Sequence, residues 1–283
     1  MAKLTDLLVV ADIDGTLLQA GYGMPRENID AIERFVDKNG KFAVCTGRSV
    51  AAVRRYIDWI QPTAPCILNN GTLIYDFKKE KVLFNVNLDD SVLEIIKNIL
   101  STFPDIGVEL HSTEGITVVR QTEYTQKRIT VEHLPYTLEH ITQTKGKWNK
   151  ILLLGSTQRM KQLENYIEKN RKNNPMFVRF DFVASSDIYY EIIPAGVNKG
   201  TGLKKLAEIM KTDIKNTVAI GDYYNDIEML EVAGYSAAVS DAPADVKAKV
   251  DITVSSCLQG GVGELLDSLE ALCDGFEQLM MEI

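Results

Sequence analysis

Residues 8–18 read LVVADIDGTLL, an apolar run that ends in two carboxylates one residue apart. The run carries no polar–apolar alternation, which is typical of a strand buried on both faces of a parallel sheet. Asp12 and Asp14 stand where that strand ends, and Gly15 follows them directly. Two interpretations of the pair are open from these residues alone: they form a turn, or they act together as a working pair of carboxylates.

Strand and helix patterns alternate around this stretch, at both ends of the chain. In the first part they predict strands at 6–11, 41–45 and 65–68 and helices at 25–39 and 49–60. In the last part they predict helices at 199–211, 225–233, 243–249 and from about 261, with strands at 216–221, 236–239 and 251–254. Such alternation with short links indicates an α/β fold with a doubly wound, Rossmann-like parallel sheet.

The middle of the chain has a different texture. Short hairpin-like strands are predicted at 72–76, 81–86, 107–111, 115–120, 150–155, 177–183 and 188–193, with helices at 89–101 and 157–171. This pattern is typical of an α+β lobe. We therefore predict a core made of residues 1–82 and 194–283, interrupted by an inserted domain at 83–193. The polar segment 120–147 is expected to hold one or two helices.

Composition narrows the function classes. Of the 283 residues, 45% are hydrophobic and 25% charged, and the formal net charge is −8, which disfavours non-specific binding to nucleic acid. No apolar run approaches the roughly 20 residues that cross a bilayer, and the first residues lack a signal-peptide pattern. Four scattered cysteines favour reduced, packed thiols in a cytoplasmic protein. The three histidines show no ligand spacing, which disfavours a zinc or histidine-based mechanism.

Polar clusters follow several of the predicted strands. They are DIDGT at 12–16, TGR at 46–48, NNG at 69–71 and GDYYND at 221–226, and GVNKG at 196–200 opens a helix. In an open parallel sheet, ligands bind beyond the carboxyl ends of the strands. Each cluster alone has an ordinary explanation as a turn, a helix start or a solvated lysine. Their coincidence at several consecutive strand ends predicts one catalytic site.

These motifs resemble those of the haloacid dehalogenase superfamily of phosphotransferases. The closest likeness is to the Cof-like phosphatases, whose large α/β cap is inserted between the second and third motifs. DIDGTL matches the first motif, TGR the second, PAGVNKG the third and GDYYNDIEML the fourth, so the resemblance covers essentially the whole chain. It implies a Mg²⁺-dependent phosphatase of small phosphorylated metabolites, most plausibly sugar phosphates.

The resemblance also implies a role for each motif residue. Asp12 corresponds to the nucleophile that forms an aspartyl-phosphate, and Asp14 to the general acid and base. Asp12, the main-chain carbonyl of Asp14 and Asp222 correspond to the Mg²⁺ ligands, with Asp226 in support behind them. Residues expected to bind the phosphate or substrate, or to stabilise transferred charge, are Gly15, Thr46, Gly47, Arg48, Asn70, Lys199 and Asn225.

The chain departs from the family pattern at two places. Asp241 stands where family members often carry asparagine, which puts a phosphate contact there in doubt, and Tyr223 and Tyr224 replace a smaller or polar pair. The inserted lobe is expected to meet the rest of the substrate. Its candidate pocket residues are His111, Arg120, Tyr189 and Glu191, although an ordinary sheet-face role is favoured for each of them taken separately.

Several alternative functions are considered beside a sugar phosphatase. Pyridoxal phosphate, flavin mononucleotide or a nucleotide could replace a sugar phosphate as the substrate. A mutase would share the Asp-x-Asp chemistry, but the position of the insert disfavours it. A catalytically idle binding or regulatory module is the alternative from another class. We expect a monomer or homodimer, with no nucleic-acid or membrane partner.

Overall fold

The computed structural model describes residues 3–19 and 21–281, with side chains as far as residue 273. The first two residues of the opening segment, on which the leader prediction partly rests, lie outside this range. Strands in chain order are β1 (Leu8–Ala11), β2 (Lys41–Val44), β3 (Cys66–Leu68), β4 (Leu73–Asp76), β5 (Lys81–Asn85), β6 (Gly107–His111), β7 (Ile116–Arg120), β8 (Tyr136–Leu138), β9 (Lys150–Leu154), β10 (Phe180–Ser186), β11 (Tyr189–Pro194), β12 (Thr217–Gly221), β13 (Tyr235–Val239) and β14 (Ile252–Val254).

The α-helices follow the same order. They are α1 (Arg26–Asp37), α2 (Val50–Arg54), α3 (Ile57–Ile60), α4 (Val92–Thr102), α5 (Glu123–Glu132), α6 (Thr157–Asn173), α7 (Lys199–Met210), α8 (Ile227–Val232), α9 (Ala244–Lys247) and α10 (Gly261–Met281). The chain groups into two compact units: unit 1 holds residues 1–47, 55–83 and 198–283, and unit 2 holds residues 48–54 and 84–197.

Unit 1 is built on a parallel sheet in the order β14-β13-β12-β1-β2. Strand β1 lies between β12 and β2, and all four of its residues are buried, which requires cover on both faces of the sheet. Helix α1 packs against α10, and α7 packs against α8. Pro25 precedes α1, and the chain leaves that helix through Asn39 in the left-handed region before Gly40. The predicted doubly wound α/β class is confirmed.

The third predicted strand joins this sheet only marginally. Strand β3 pairs antiparallel with β4 in a separate sheet ordered β3-β4-β5, and it meets the parallel sheet through one isolated parallel bridge between Cys45 and Ile67. The chain turns back immediately after β3 because Asn69, Asn70 and Gly71 all take positive φ angles, of 50°, 56° and 100°. The prediction of a third strand at 65–68 is thus correct, but this strand belongs mainly to an antiparallel sheet rather than to the parallel one.

Unit 2 contains a six-stranded mixed sheet in the order β10-β11-β9-β6-β7-β8. One face packs against α4 and α6 in a core that includes Ile95, Ile99, Val108, Ile151 and Leu163. The opposite face carries a second, smaller apolar cluster, formed by Ala52, Ile116, Val118, Ile129 and Leu134. The predicted helix within 120–147 is α5, and strand β8 follows it.

Three predicted elements differ in detail. The helix at 49–60 is broken into α2 and α3, and α2 groups with unit 2 because Ala52 packs in the smaller cluster described above. Residues 175–179 form a 3-10 helix before β10, so the strand predicted at 177–183 begins later. The helix predicted at 225–233 starts as a 3-10 turn over Tyr224–Asp226 before α8.

Two further expectations concern the sequence as a whole. Among the helices of the described residues, none combines the length and apolarity needed to cross a membrane. All four cysteines are free thiols, and Cys45, Cys66 and Cys257 are buried. Burial of these three thiols agrees with the packed cysteines that the sequence predicts.

Candidate active site

The carboxyl ends of three parallel strands bring the polar motifs to one edge of unit 1. Ala11 is in register with Val44 of β2 and Ile220 of β12, so the residues that follow each strand start side by side. The amide of Asp12 donates to the carbonyl of Ile220 at 2.9 Å, and the amide of Cys45 donates to the carbonyl of Ala11 at 2.9 Å. Asp12 is consequently fixed at the centre of this edge.

Lys199 joins two of the acidic residues. Its Nζ donates to Oδ1 of Asp12 and to Oδ1 of Asp226, each at 2.5 Å, and its side chain is 1% exposed. Lys199 is the first residue of α7, whose preceding residue Asn198 caps the helix by accepting a hydrogen bond from the amide of Thr201. Burial opposes a charge on Lys199, but the two carboxylates raise the pKa of its ammonium well above the ordinary value.

Asp226 uses both of its carboxylate oxygens within the protein. Oδ1 accepts from Lys199, and Oδ2 accepts from the backbone amides of Asp222 and Tyr223, each at 3.1 Å. This carboxylate therefore holds the loop after β12 in place as well as the lysine. Its side chain is fully buried, and the short approach to Gly221 leaves no room for a Cβ there.

Asp222 completes a group of three carboxylates. One oxygen from each of Asp12, Asp222 and Asp226 lies within 4.8 Å of the others. Asp222 Oδ1 also accepts from the hydroxyl of Thr16 at 3.1 Å. Burial, together with the charge of Asp226, raises the pKa of Asp222 to about 7, and burial raises the pKa of Asp12 well above its usual range.

The donor set fits a hard divalent cation. Three clustered carboxylates carry more negative charge than the single ammonium of Lys199 can balance, and anionic oxygen ligands are those that Mg²⁺ prefers. The raised pKa values of Asp12 and Asp222 have the same origin, which is negative charge crowded into a buried site.

Gly15 allows the first loop to lie directly against Asp222. Its φ is +87°, and a Cβ at this position would lie 2.4 Å from Oδ2 of Asp222. A side chain here would therefore displace the Asp222 carboxylate from its present position. The glycine of the DIDGT motif is required for this contact as well as for the turn.

We expect Gly15→Ala to weaken metal activation of this site. The positive φ alone should cost about 1 kcal/mol of unfolding free energy, and displacement of Asp222 should raise the Mg²⁺ concentration for half-maximal turnover by about tenfold. A magnesium titration of turnover and a thermal melt measure the two effects. Gly23→Ala is the matched control, since Gly23 has φ +83° and nothing within 4 Å of its would-be Cβ. Equal metal titrations for the two variants would contradict the prediction.

The other predicted phosphate-binding residues form a second group in unit 1. Thr46 is buried, and its backbone links the motifs: its amide donates to Ile67 at 2.9 Å and its carbonyl accepts from the amide of Asn70 at 3.0 Å. The Asn70 side chain accepts from Nδ2 of Asn225 at 3.4 Å. A Cβ on Gly47 would lie 3.2 Å from the Asn70 amide group, a contact that a larger residue could make only if that amide group shifted slightly.

Two predicted site residues, Asp14 and Arg48, are not buried. Asp14 follows Asp12 by two positions but is exposed, in the turn that Gly15 closes by donating to the carbonyl of Leu18 at 2.9 Å. Arg48 belongs to the segment 48–54, which groups with unit 2. Exposure of the Asp14 carboxyl suits a group that exchanges protons with solvent.

Sequence reasoning missed two buried residues of this edge. Thr16 lies within the quoted motif, but its partner Asp222 is 206 positions away, so only the assembled fold pairs them. Asn69 is 1% exposed with φ +50°, and neither atom of its amide group has a hydrogen-bond partner within the described part of the chain. Within the NNG motif, only Asn70 was predicted to bind phosphate or substrate.

The departures from the family pattern are on the surface. Tyr223 and Tyr224 are exposed and pack edge to face, with ring centroids 5.0 Å apart and an interplanar angle of 71°. Asp241 is exposed as well. None of these three alters the contacts among Asp12, Lys199, Asp222 and Asp226 that are described above.

Two of the pocket residues predicted in unit 2 are buried. His111 and Glu191 have almost no exposed surface, Tyr189 is half-buried, and Arg120 is exposed. Burial lowers the pKa of the His111 imidazole to about 4, although the nearby carboxylate of Glu109 favours the charged form. His111 is therefore neutral at physiological pH.

Because the buried His111 is neutral, we expect the folded protein to lose stability in acid. The pKa of His111 is about 4 in the folded protein against 6.5 for an ordinary histidine, so the unfolded chain binds the extra proton first as the pH falls. The free energy of unfolding should drop by about 3 kcal/mol from this residue between pH 6.5 and 4. Urea unfolding across that range, compared between wild type and His111→Gln, isolates the contribution. His140→Gln, at an exposed position, should keep the wild-type slope.

Residues 9–266 match the family model described as haloacid dehalogenase-like hydrolase. The chain is a haloacid dehalogenase-like hydrolase. The matched span begins within β1 and ends within α10, so it includes both parts of unit 1 and all of the insert.

Two relatives of this hydrolase are phosphatases. The 5-amino-6-(5-phospho-D-ribitylamino)uracil phosphatase YwtE of Bacillus subtilis (strain 168) is 26% identical, over 92% of this chain and 97% of that protein. The pyridoxal phosphate phosphatase YbhA of Escherichia coli (strain K12) is 25% identical, over 94% of this chain and 99% of that protein. The predicted enzyme class, a phosphoric monoester hydrolase of this family, is confirmed.

Solved structures have the same fold. A HAD/COF-like hydrolase from Plasmodium vivax has a TM-score of 0.81 at 24% identity, covering 94% of this chain and 95% of that one. The HAD subclass IIB sugar phosphatase BT4131 has a TM-score of 0.78 at 19% identity, covering 93% and 99%. The hydrolase thus has the predicted fold, a parallel core sheet with an inserted mixed sheet.

Proposed function

We propose that this hydrolase removes phosphate from small sugar-like phosphate monoesters by way of an aspartyl-phosphate on Asp12. One observation carries the proposal: the ammonium of Lys199 and the carboxylates of Asp222 and Asp226 surround Asp12 at the edge where the polar motifs meet. Phosphate monoesters hydrolyse extremely slowly unaided, so a catalyst must fix the nucleophile and neutralise the transferred charge.

In the first half of the proposed reaction, an Asp12 carboxylate oxygen attacks phosphorus. The bond from phosphorus to the leaving oxygen breaks, and Asp14 gives its proton to that oxygen. Lys199 holds Asp12 through Oδ1 and so restricts rotation of the attacking carboxylate. The hydroxyl of Thr46 and the amides that follow it would bind the phosphoryl oxygens, together with Gly15, Gly47, Asn70 and Asn225.

In the second half, water attacks the phosphorus of the acyl-phosphate and Asp14 takes a proton from that water. The bond from phosphorus to Asp12 breaks, which releases inorganic phosphate and restores the Asp12 carboxylate. Mg²⁺, when bound, would supply positive charge that screens the phosphate from the carboxylates. Asp12, the carbonyl of Asp14 and Asp222 would hold it, while Asp226, with both oxygens bonded inside the protein, would position Lys199 and the Asp222 loop.

We propose a separate role for each of the two units. Unit 1 carries all of the phosphate-site residues except Arg48, and we assign chemistry to it and recognition of the leaving group to unit 2. Division at residues 82 and 194 stays a prediction, as do a cytoplasmic location and a monomeric or dimeric state. A ribityl chain bearing the phosphate in the substrate named for the Bacillus relative supports a hydroxyl-rich leaving group. Pyridoxal phosphate, named for the Escherichia coli relative, is the second candidate.

Hydrolysis of p-nitrophenyl phosphate with and without Mg²⁺ tests the proposal directly. We expect turnover at millimolar Mg²⁺ and its loss on chelation, followed by higher kcat/KM for sugar phosphates in a panel that includes pyridoxal phosphate, flavin mononucleotide and nucleotides. Absence of turnover by folded protein in Mg²⁺ would favour an idle binding module. An unchanged rate after chelation would remove the metal from the proposal.

Replacing Asp14 should reveal its role through the leaving group. Asp14→Asn cannot protonate the leaving oxygen, so turnover of alkyl phosphates should fall by about 10²–10⁴-fold. Loss for p-nitrophenyl phosphate should be smaller, because p-nitrophenolate leaves without protonation. The ratio of kcat/KM for the two ester classes measures the difference, and an equal loss for both would assign the proton transfer to another group.

A further inference from the structure

Thr16 carries a buried hydroxyl that no step of the proposed reaction uses. It is the last residue of the DIDGT motif and follows Gly15, the glycine that lies against Asp222. Its side chain has no exposed surface, although threonine is mostly a surface residue in folded proteins. Burial of a hydroxyl costs free energy unless the group forms a hydrogen bond, so the partner of this hydroxyl indicates what the residue does.

The partner of this hydroxyl is the Asp222 carboxylate. Oγ1 of Thr16 donates to Oδ1 of Asp222, and the two atoms are 3.1 Å apart. A hydroxyl carries a single proton, so this bond uses the whole donor capacity of the Thr16 side chain. An ionised carboxylate can only accept hydrogen bonds, and it is also the form of the group that binds a metal ion. The bond therefore favours the form of Asp222 that a cation requires.

The two oxygens of the Asp222 carboxylate are restrained from different directions. Oδ1 accepts from Thr16, whereas Oδ2 occupies a place only 2.4 Å from where a Cβ on Gly15 would stand. The backbone of Asp222 is held separately, because its amide donates to Oδ2 of Asp226 at 3.1 Å. The terminal torsion of an aspartate has a broad energy minimum, so contacts of this kind, rather than rotamer preference, fix how the carboxylate is turned.

Thr16 has no substitute as a donor to this carboxylate. Among the residues that the structure describes, its hydroxyl is the one side-chain donor that reaches Asp222. The ammonium of Lys199 bonds instead to Asp12 and to Asp226. Two carboxylates of the cluster are thus oriented by a cation, and the third is oriented by a neutral hydroxyl.

We propose that Thr16 is a positioning residue that sets the divalent-cation affinity of the site by holding the Asp222 carboxylate in place before the cation binds. In the orientation that it holds, one oxygen of Asp222 lies within 4.8 Å of an oxygen of Asp12 and of Asp226. The inference rests on the metal site of the proposed function and adds a residue to it. Removal of a group that orients a metal ligand typically weakens metal binding by about 10–100-fold.

Thr16→Val provides the test, because valine keeps the shape of threonine and lacks the hydroxyl. We expect the dissociation constant of Mg²⁺, measured by calorimetry on protein without substrate, to rise by about tenfold or more. Thr16→Ser keeps the hydroxyl and should restore binding close to that of wild type. The matched control is Thr217→Val: Thr217 is equally buried, its hydroxyl donates to the carbonyl of Ile214 at 2.6 Å, and it begins β12, the strand that Asp222 follows. This control should lose stability and keep the wild-type dissociation constant.

Each other result has a defined meaning. A dissociation constant in Thr16→Val within about twofold of wild type would overturn the inference, and so would an equal loss in Thr16→Ser or in Thr217→Val. If Thr16→Val does not fold, Thr16→Cys replaces it, since a thiol is a weak donor of similar size. Wild type that binds no Mg²⁺ would also overturn the inference. If wild type binds Mg²⁺ but hydrolyses no phosphoester, the proposed function fails, and the ratio of dissociation constants still decides the role of Thr16.

Discussion

Asp12→Asn is expected to lower turnover by about 10⁴-fold or more, the size of effect seen when a covalent nucleophile is removed. The amide is nearly the same shape as the carboxylate, and its oxygen can still accept from Lys199. What it lacks is a negatively charged oxygen able to form a bond to phosphorus. Steady-state hydrolysis of p-nitrophenyl phosphate at saturating Mg²⁺ measures the loss.

Stability should not fall with activity in this variant. Burial and the nearby carboxylates raise the pKa of Asp12, which means that its charge is unfavourable in the folded protein. Removing that charge should leave the free energy of unfolding equal to or above that of wild type. Asp58→Asn, on the exposed side of α3, controls for the substitution itself. Turnover near the wild-type rate in Asp12→Asn would mean that another residue attacks phosphorus, and mass spectrometry of the quenched enzyme would then locate the phosphoryl group.

Lys199→Met should lower both stability and turnover. It removes the cation that lies 2.5 Å from Asp12 and from Asp226 and leaves both carboxylates buried without it. Breaking one side of a buried ion pair costs about 3–5 kcal/mol of unfolding free energy. We expect a loss in that range by urea unfolding without metal, with turnover reduced by about 10³-fold because the transferred charge loses a fixed positive partner.

The same helix supplies a control for this prediction. Lys205 pairs with Glu208 on the surface of α7, and Lys205→Met should change stability by less than about 1 kcal/mol. Adding Asp226→Asn to Lys199→Met removes one of the stranded charges, so it should recover part of the stability and none of the turnover. Similar unfolding curves for Lys199→Met and Lys205→Met would show that the buried pairing contributes little.

The hydrophobic pattern of the sequence predicted the strands and helices of unit 1 because the apolar positions of each element are the ones that the fold buries. The run at β1 is apolar at every position and is buried on both sides, and the helix before Gly40 keeps its apolar residues on one face. Polar residues that end such strands must meet at the sheet edge, so the proximity of Asp12, Lys199 and Asp222 could be anticipated from the motifs. Their catalytic roles remain proposals for the experiments above.

Features set by distant contacts could not be predicted. The grouping of α2 with unit 2 depends on Ala52 packing against a strand that comes more than 60 positions later in the chain. The reversal after β3 depends on three successive left-handed residues, a conformation that asparagine permits but does not demand. The buried pair of Glu109 and Arg128 was missed in the same way, since both resemble ordinary surface residues until α5 packs against β6.

Membership of segment 48–54 in unit 2 has a consequence for evolution and engineering by domain exchange. The polypeptide passes between the units four times, after residues 47, 54, 83 and 197, so the insert is not a single cassette. Excising residues 84–197 and rejoining the ends would remove Ile116, Val118 and Ile129, against which Ala52 packs, and leave that alanine uncovered. A chimera that takes unit 2 from a relative must therefore also take that relative's counterpart of segment 48–54, so that α2 keeps matched packing partners.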